Sequence, residues 1–302
     1  MHIRLYNEAI FTLSMRPRTP LLIKAGRSGE EALDPTLPAM AFVRTNRPDR
    51  PDPEVFVPGA SLRGVLRSHS ERLVRSVGVT ACDPTRTQAR GAQTELLACF
   101  AGESNTDAID GPAAYRRSCP VCRIFGNTML AARLRISDFT LTGKAVLDRR
   151  YGVSIDRVTG SVANGPFDIE IMTDGVFAGQ LSLRNFTVGQ FGLIAGALLD
   201  LSDGLVPLGY GKSRGLGQVM LTFTQLKLRT LRDPQGDLCG IGNLAIAKDR
   251  EVYDLPKEAD DRMPLAATVT RDRGFYIIES GDGIAREWLK HSVERWVKEF
   301  AP

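Results

Sequence analysis

The chain has 302 residues, enough for one large domain or two small ones with a full core. Its 43% hydrophobic and 25% charged residues are those of an ordinary globule, which excludes a disordered or fibrous chain. The net charge is +4 and 31 of the 39 cations are arginine, a balance that leans toward phosphate partners without forming a polybasic tail.

No apolar run reaches the length of a membrane-spanning helix, and Met1-His-Ile-Arg-Leu-Tyr lacks a signal-peptide core. A cytoplasmic protein is expected, with its five cysteines serving as thiols or metal ligands rather than as disulfides.

Residues 3–13 are expected to form the first strand, with Leu5, Ile10 and Leu13 facing a core, and Leu21-Leu-Ile-Lys begins a second. The glycines and prolines of residues 25–38 predict a loop, which carries Glu30, Glu31 and Asp34. A carboxylate there can hold a divalent ion against a nucleic-acid phosphate. Asp34-Pro35 can equally do no more than start a turn. Residues 39–44 read as a short strand and residues 45–53 as a surface loop.

Pro58-Gly59 opens a helix that Ser61 can cap and Gly78 can end. Leu62, Val65, Leu66, His69, Leu73 and Val77 share one face. Arg63 and Arg67 stack on another face, near the helix start, where the dipole also favours an anion. A solvated amphipathic face would look the same. His69 suits either a core position or a general base.

Residues 79–123 form an insertion with little periodicity, containing Cys82, Cys99, Cys119 and Cys122. Cys119-Pro-Val-Cys122 is a knuckle whose turn favours two sulfurs on one side, and the two upstream cysteines can complete a tetrahedral zinc site. A loop-rich segment without a core of its own gains its order from such a staple. Redox chemistry is the rival, but no thioredoxin-like pattern flanks the pair; four buried thiols remain the plain alternative. Cys239 stands apart without an assigned role.

Residues 134–141 alternate as a strand, and residues 149–172 read as a long hairpin with a polar tip. Its Val153, Ile155, Val158 and Val162 can wedge between bases while Arg149, Arg150 and Arg157 hold phosphates, unless it is simply part of the sheet. Residues 180–184 form another strand. Thr187-Val-Gly-Gln190 is a capping box that opens a helix ending near Gly204. Next comes Gly209-Tyr-Gly-Lys-Ser-Arg-Gly-Leu-Gly217, whose glycines free the backbone and whose Lys212, Ser213 and Arg214 suit a phosphate. It is not a nucleotide P-loop, because Val206 stands where that motif needs glycine and a β run follows instead of a helix. A tight turn with solvated charges is the alternative. Further on, Gly274-Phe-Tyr-Ile-Ile-Glu suggests a strand. Ala285, Trp288, Leu289, Ser292, Val293, Trp296, Val297 and Phe300 make a helical stripe for packing. The order fits an α+β sandwich.

Phe56-Val-Pro-Gly-Ala-Ser-Leu-Arg-Gly-Val-Leu-Arg67, Cys119-Pro-Val-Cys-Arg-Ile-Phe-Gly126 and the glycine loop resemble the RAMP superfamily of CRISPR proteins, as does Asp34-Pro-Thr-Leu-Pro with Phe42-Val-Arg-Thr. More narrowly, they resemble the seven-group backbone subunits of type III effector complexes. The resemblance implies a modified RRM-like (ferredoxin-like) antiparallel sheet with helices. It would be one domain over residues 1–302, with a zinc-binding insertion at 79–123 and a thumb hairpin at 149–172 that kinks the guide. It implies stacking along a CRISPR guide RNA beside copies of itself or other RAMP effector subunits. The guide backbone would meet Arg63, Arg67, Lys212, Ser213 and Arg214, and the thumb would offer Ile155 and Arg157. Asp34 aligns with the acidic residue that cuts the paired target RNA, with Mg2+ or another divalent ion. A RAMP endoribonuclease that processes CRISPR precursor RNA, with a base such as His69, is the alternative reading. A catalytically silent, zinc-stapled RNA-binding subunit is another.

Overall fold

The computed structural model describes residues 3–25, 40–88, 96–103 and 108–300. In chain order its strands are β1 (Asn7–Pro17), β2 (Arg44–Thr45), β3 (Glu54–Val57), β4 (Leu134–Ile136), β5 (Phe139–Ile155), β6 (Val162–Arg184), β7 (Val219–Thr230), β8 (Asp237–Cys239), β9 (Arg262–Pro264), β10 (Thr270–Asp272) and β11 (Phe275–Ser280). The helices are α1 (Gly59–Ser76), α2 (Gly111–Arg117), α3 (Pro120–Phe125), α4 (Val188–Ser202), α5 (Ile241–Leu244), α6 (Ala247–Val252) and α7 (Asp282–Phe300). The fold is α+β. Nine strands form one sheet in the order β10-β11-β7-β1-β6-β5-β3-β2, with β4 also on β6, and every strand pairing in it is antiparallel.

β1 lies between β6 and β7, and strand alternation sends Ala9, Phe11, Leu13 and Met15 into the core. Leu13 is buried as expected. Ile10 is not: a period of two puts it on the opposite, half-buried face, and Leu5 precedes the strand altogether. The strand expected at Leu21 forms only isolated bridges, Leu21 with Met172 and Lys24 with Phe42. The glycine loop takes the place of a partner strand there. Tyr210 N–H donates to Leu22 O at 2.7 Å and Gly217 N–H to Pro20 O at 2.9 Å.

α1 begins at Gly59, so Ser61 lies inside it and does not cap it. The cap comes from far away: Asp138 Oδ1 accepts the Gly59 N–H at 2.7 Å, and a Cβ at Gly59 would stand 2.5 Å from Ile136 O. Asp138 stands in the break that splits the alternating stretch 134–141 into β4 and β5. Leu62, Leu66 and Val74 are the buried line of α1, with Val65, Leu73 and Val77 packed beside them. The strand read at residues 180–184 is the end of β6.

The Thr187–Gln190 capping box forms with both halves in place. α4 is buried on every residue but Asp200, with Phe191 stacked on Phe11 at 5.7 Å between centroids. Its second side is covered by α7, through Ala285, Trp288, Leu289, Ser292 and Trp296. The contact is close enough that a side chain at Gly192 would collide with Ser292 O. β11 adds to the sheet beside β7. The chain beyond Phe223, where sequence patterning fades, thus builds sheet and core.

Two carboxyls cap α4 from that region. Asp261 accepts the Val188 and Gly242 N–H groups, each at 2.6 Å. Glu299 accepts the Gly189 N–H at 2.9 Å and the Thr187 hydroxyl at 2.6 Å. Burial pushes Asp261 up to about 6. Burial and then the Asp261 charge push Glu299 up to about 7, with Arg123 opposing. Carboxyls raised in the folded state add stability that is fully present below their unfolded values and is lost as pH rises through the folded ones. Urea midpoints should therefore fall between about pH 5 and about pH 8, and Glu299→Gln should flatten that fall. Equal slopes for the two proteins would contradict the assignment.

Candidate nucleic-acid interface and metal centre

The glycine loop turns tightly on left-handed backbone, and at two of its glycines the neighbouring backbone leaves no room for a side chain. Gly209, Gly211, Gly215 and Gly217 have φ of 84°, 72°, 77° and 91°. A Cβ at Gly209 would collide with Leu22 O and one at Gly217 with Leu208 O. Leu208 N–H donates to Gly217 O at 2.8 Å and closes the loop. On this frame, one 3-10 turn (Lys212–Arg214) displays three exposed side chains. None of the three has a side-chain hydrogen bond to another described residue, so a cation, a hydroxyl and a guanidinium fork all face solvent.

Arg63 and Arg67 are arranged differently from the free anion-binding edge that their spacing suggests. Arg63 donates to Phe125 O. Arg67 donates to Glu71 Oε1 at 2.9 Å, to Gly126 O at 3.0 Å and to Cys122 Sγ at 3.2 Å. The carbonyls that end α3 need donors, and these two side chains supply them. Both arginines brace α3 against α1.

That brace holds the cysteines. Cys119 is the N-cap of α3 and Cys122 lies in its first turn. The sulfurs of Cys82, Cys99, Cys119 and Cys122 all lie within 4.8 Å of one another, with Cys82–Cys122 at 3.4 Å and Cys82–Cys119 at 3.8 Å. Tetrahedral metal–sulfur bonds of about 2.3 Å place sulfurs about 3.8 Å apart, so the donor set fits a metal ion. Further donors point at the sulfurs: Cys119 N–H to Cys99 at 3.3 Å, Cys122 N–H to Cys119 at 3.4 Å, and Arg67 to Cys122. Hydrogen bonds from Cys122, Cys82 and Cys99 push the Cys119 thiol down. These four cysteines can hold a metal ion. Cys239 is not among them; it is buried at the end of β8, and burial pushes its thiol up to about 11.

Tyr115 of α2 is a residue that sequence reasoning passed over. The guanidiniums of Arg123 and Arg133 lie 4.9 and 5.0 Å from its ring centroid, and its hydroxyl accepts from Gln190 of α4 at 3.0 Å. It keys the cysteine segment into the core. Its one sequence mark is a large aromatic amid small residues, in Gly111-Pro-Ala-Ala-Tyr115.

β5 and β6 form one hairpin, longer than residues 149–172, that stays paired out to Ile155 and Val162. Asp156 Oδ1 orders its tip by accepting from Val158 N–H at 2.8 Å and Thr159 N–H at 2.7 Å. Tyr151 is 70% exposed, Ile155 63% and Val158 94%, and Arg157 is exposed beside them. His69 is half-buried, its Nε2 2.6 Å from Asp200 Oδ2, so it links α1 to α4. Asp34, Glu30 and Glu31 lie outside the described residues.

The family model of the RAMP superfamily matches residues 15–220, a span that takes in α1, the cysteines, the hairpin, α4 and the glycine loop. The chain belongs to the RAMP superfamily of CRISPR-associated proteins. That membership carries a role in RNA binding or processing, with RNA and other CRISPR subunits as partners. No curated protein matches the sequence. No helix among the described residues is long and apolar enough to cross a membrane.

Elemental analysis of freshly purified protein should find one metal ion per chain. The double variant Cys119→Ser, Cys122→Ser should lose it and unfold at lower temperature, because a four-sulfur site contributes folding energy. Unchanged metal content in that variant would rule these ligands out.

Proposed function

We propose that this chain is a guide-RNA-binding backbone subunit of a type III CRISPR effector complex, and that it cleaves guide-paired target RNA in a metal-dependent reaction. The observation that carries the reading is the tight glycine turn with Lys212, Ser213 and Arg214 exposed and without side-chain partners among the described residues. Such a turn contacts phosphates without reading bases. Arg63, half-exposed at the start of α1, would offer a further phosphate contact, and Arg67 would support it by holding α3 in place.

The chain order β1-α1-β5-β6-α4-β7, with strands ordered β7-β1-β6-β5, supports a modified RRM-like, ferredoxin-like domain spanning residues 1–302. The exposed apolar tip of the β5–β6 hairpin supports its use as a thumb. Ile155 would displace a guide nucleotide and Arg157 would hold the neighbouring phosphate. Four sulfur ligands favour zinc as a structural ion. Asp34 is proposed as the carboxylate that holds Mg2+ or another divalent ion at the scissile phosphate. Asp200 takes one ring nitrogen of His69 and the Arg72 guanidinium lies 3.5 Å from the other, which favours this subunit role over a processing enzyme that uses His69 as its base.

One set of binding and cleavage assays tests the reading. Lys212→Ala with Arg214→Ala should weaken binding to unrelated single-stranded RNAs alike and lower the salt slope by about one per cation removed. Asp34→Ala should abolish cutting of guide-paired RNA and leave guide affinity within about threefold, since one exposed charge contributes little to binding. Sequence-selective loss in the first variant would sink the backbone-contact role. Wild-type cutting in the second would sink Asp34 as the metal-holding carboxylate.

A further inference from the structure

The sheet has an end that this reading leaves unused. The glycine loop hangs on residues 20–22, past the finish of β1 at Pro17. At the start of β1, Glu8 sits between its register partners, Arg184 of β6 and Arg229 of β7. Glu8 is only 3% exposed. Arg184 Nε donates to Glu8 Oε1 at 2.5 Å and an Arg229 terminal nitrogen donates to Oε2 at 2.8 Å. A cavity of about 350 Å3 opens here, and Arg4, Arg133 and Arg135 line it as well.

Five guanidiniums thus share one cavity with one lining carboxylate. Arg4 has a partner of its own in Asp249, at 2.8 Å. Arg133 is 2% exposed and donates to the carbonyls of Arg123 and Asn185, yet one of its terminal nitrogens is buried with no hydrogen-bond partner among the described residues. Arg135 is exposed, and its side chain has no hydrogen bond or ion pair among the described residues. Setting Arg4 aside, four cations face one anion, so the cavity carries an excess of three positive charges. Like charges gathered this way repel one another, and Glu8 is the one carboxylate among the described residues that line the cavity. An arginine fork matches a tetrahedral oxyanion in charge and in geometry. Glu8 fixes two of the forks side by side, since each of its oxygens takes one donor while a guanidinium has five N–H groups.

We propose that this cavity is a phosphate-binding site, distinct from the glycine loop, in which Arg135, Arg184 and Arg229 hold the phosphate oxygens. Its volume lies within the range of small-ligand pockets and exceeds one phosphate, so it admits an RNA backbone phosphodiester or the phosphate of a free nucleotide. The assignment does not rest on the guide-RNA reading.

The test is titration of inorganic phosphate into the full chain at constant ionic strength, followed by calorimetry. Arg135→Ala, a change at an exposed position, should weaken phosphate binding at least about tenfold, as the loss of a fork on an oxyanion does. Arg184→Lys, which keeps the charge beside Glu8 but not the fork, should also weaken it. Lys212→Ala with Arg214→Ala should leave it unchanged. A short oligouridylate that competes with phosphate in wild type and not in Arg135→Ala assigns the site to RNA backbone; competition by uridine monophosphate alone assigns it to a free nucleotide. The proposal is overturned if wild type shows no saturable phosphate binding, if Arg135→Ala binds as well as wild type, or if a polyglutamate peptide displaces phosphate more strongly than either nucleotide probe, which would make the cavity a dock for an acidic protein.

Discussion

The Arg67 guanidinium joins α1, the end of α3 and the cysteine cluster. It reaches a carboxylate one turn along its own helix, a carbonyl just past α3 and the sulfur of Cys122. Glu71 is buried beside it, and desolvation raises that carboxyl while Arg67 opposes the rise. Removing one partner of a buried pair of this kind costs about 3–5 kcal/mol. A sulfur site that takes up a divalent ion with its thiols ionised is net negative, so a fixed cation at its edge offsets that charge. α1 is in turn set against the sheet by the Asp138 cap, and α3 is set against α4 through Arg123, Tyr115 and Gln190. The position of the cysteines and the position of α1 are therefore one constraint.

The same economy of long-range polar contacts orders the two ends of the sheet. At one end the loop after α4 turns tightly because its glycines pass within contact of the Leu22 and Leu208 carbonyls, which leaves its cations outward. At the other end Glu8 collects cations from both neighbouring strands. The first end presents charge on an exposed tight turn and the second gathers it in a concavity. An exposed cationic turn suits a backbone that slides past, while a concave site suits a phosphate that stops.

Features closed within a few residues were legible in the sequence. The Thr187–Gln190 box needs only a spacing of three, and the stripe from Ala285 to Phe300 needs only helical periodicity. Cys119 and Cys122 read as a knuckle because the turn itself brings their sulfurs together. What stayed hidden is the direction of side chains whose partners are distant. The acceptors of Arg63 and Arg67 lie 62 and 59 residues away, and the His69 partner lies 131 away. Ser61 looked like the cap because a hydroxyl near a helix start is the local solution, whereas the carboxylate in use comes from 79 residues on. Glu8 gave no hint either, since its arginines are 176 and 221 residues distant.

The part of the chain with the weakest pattern has a physical task that follows from α4. A helix that is apolar on all sides cannot rest on a sheet alone, because the sheet covers one side and leaves the other in water. The family match ends at residue 220, before α7. α7 supplies the cover, with Trp288, Leu289 and Trp296 turned inward and Gly192 giving way to Ser292. Asp261 and Glu299 come from the same stretch and complete the N-terminus of α4, where the glycine at 189 leaves space for the Glu299 carboxyl. The helix that leads into the glycine loop is thus held by residues outside the matched span. The placement of Lys212 and Arg214 depends on a segment that carries no RNA-binding pattern of its own.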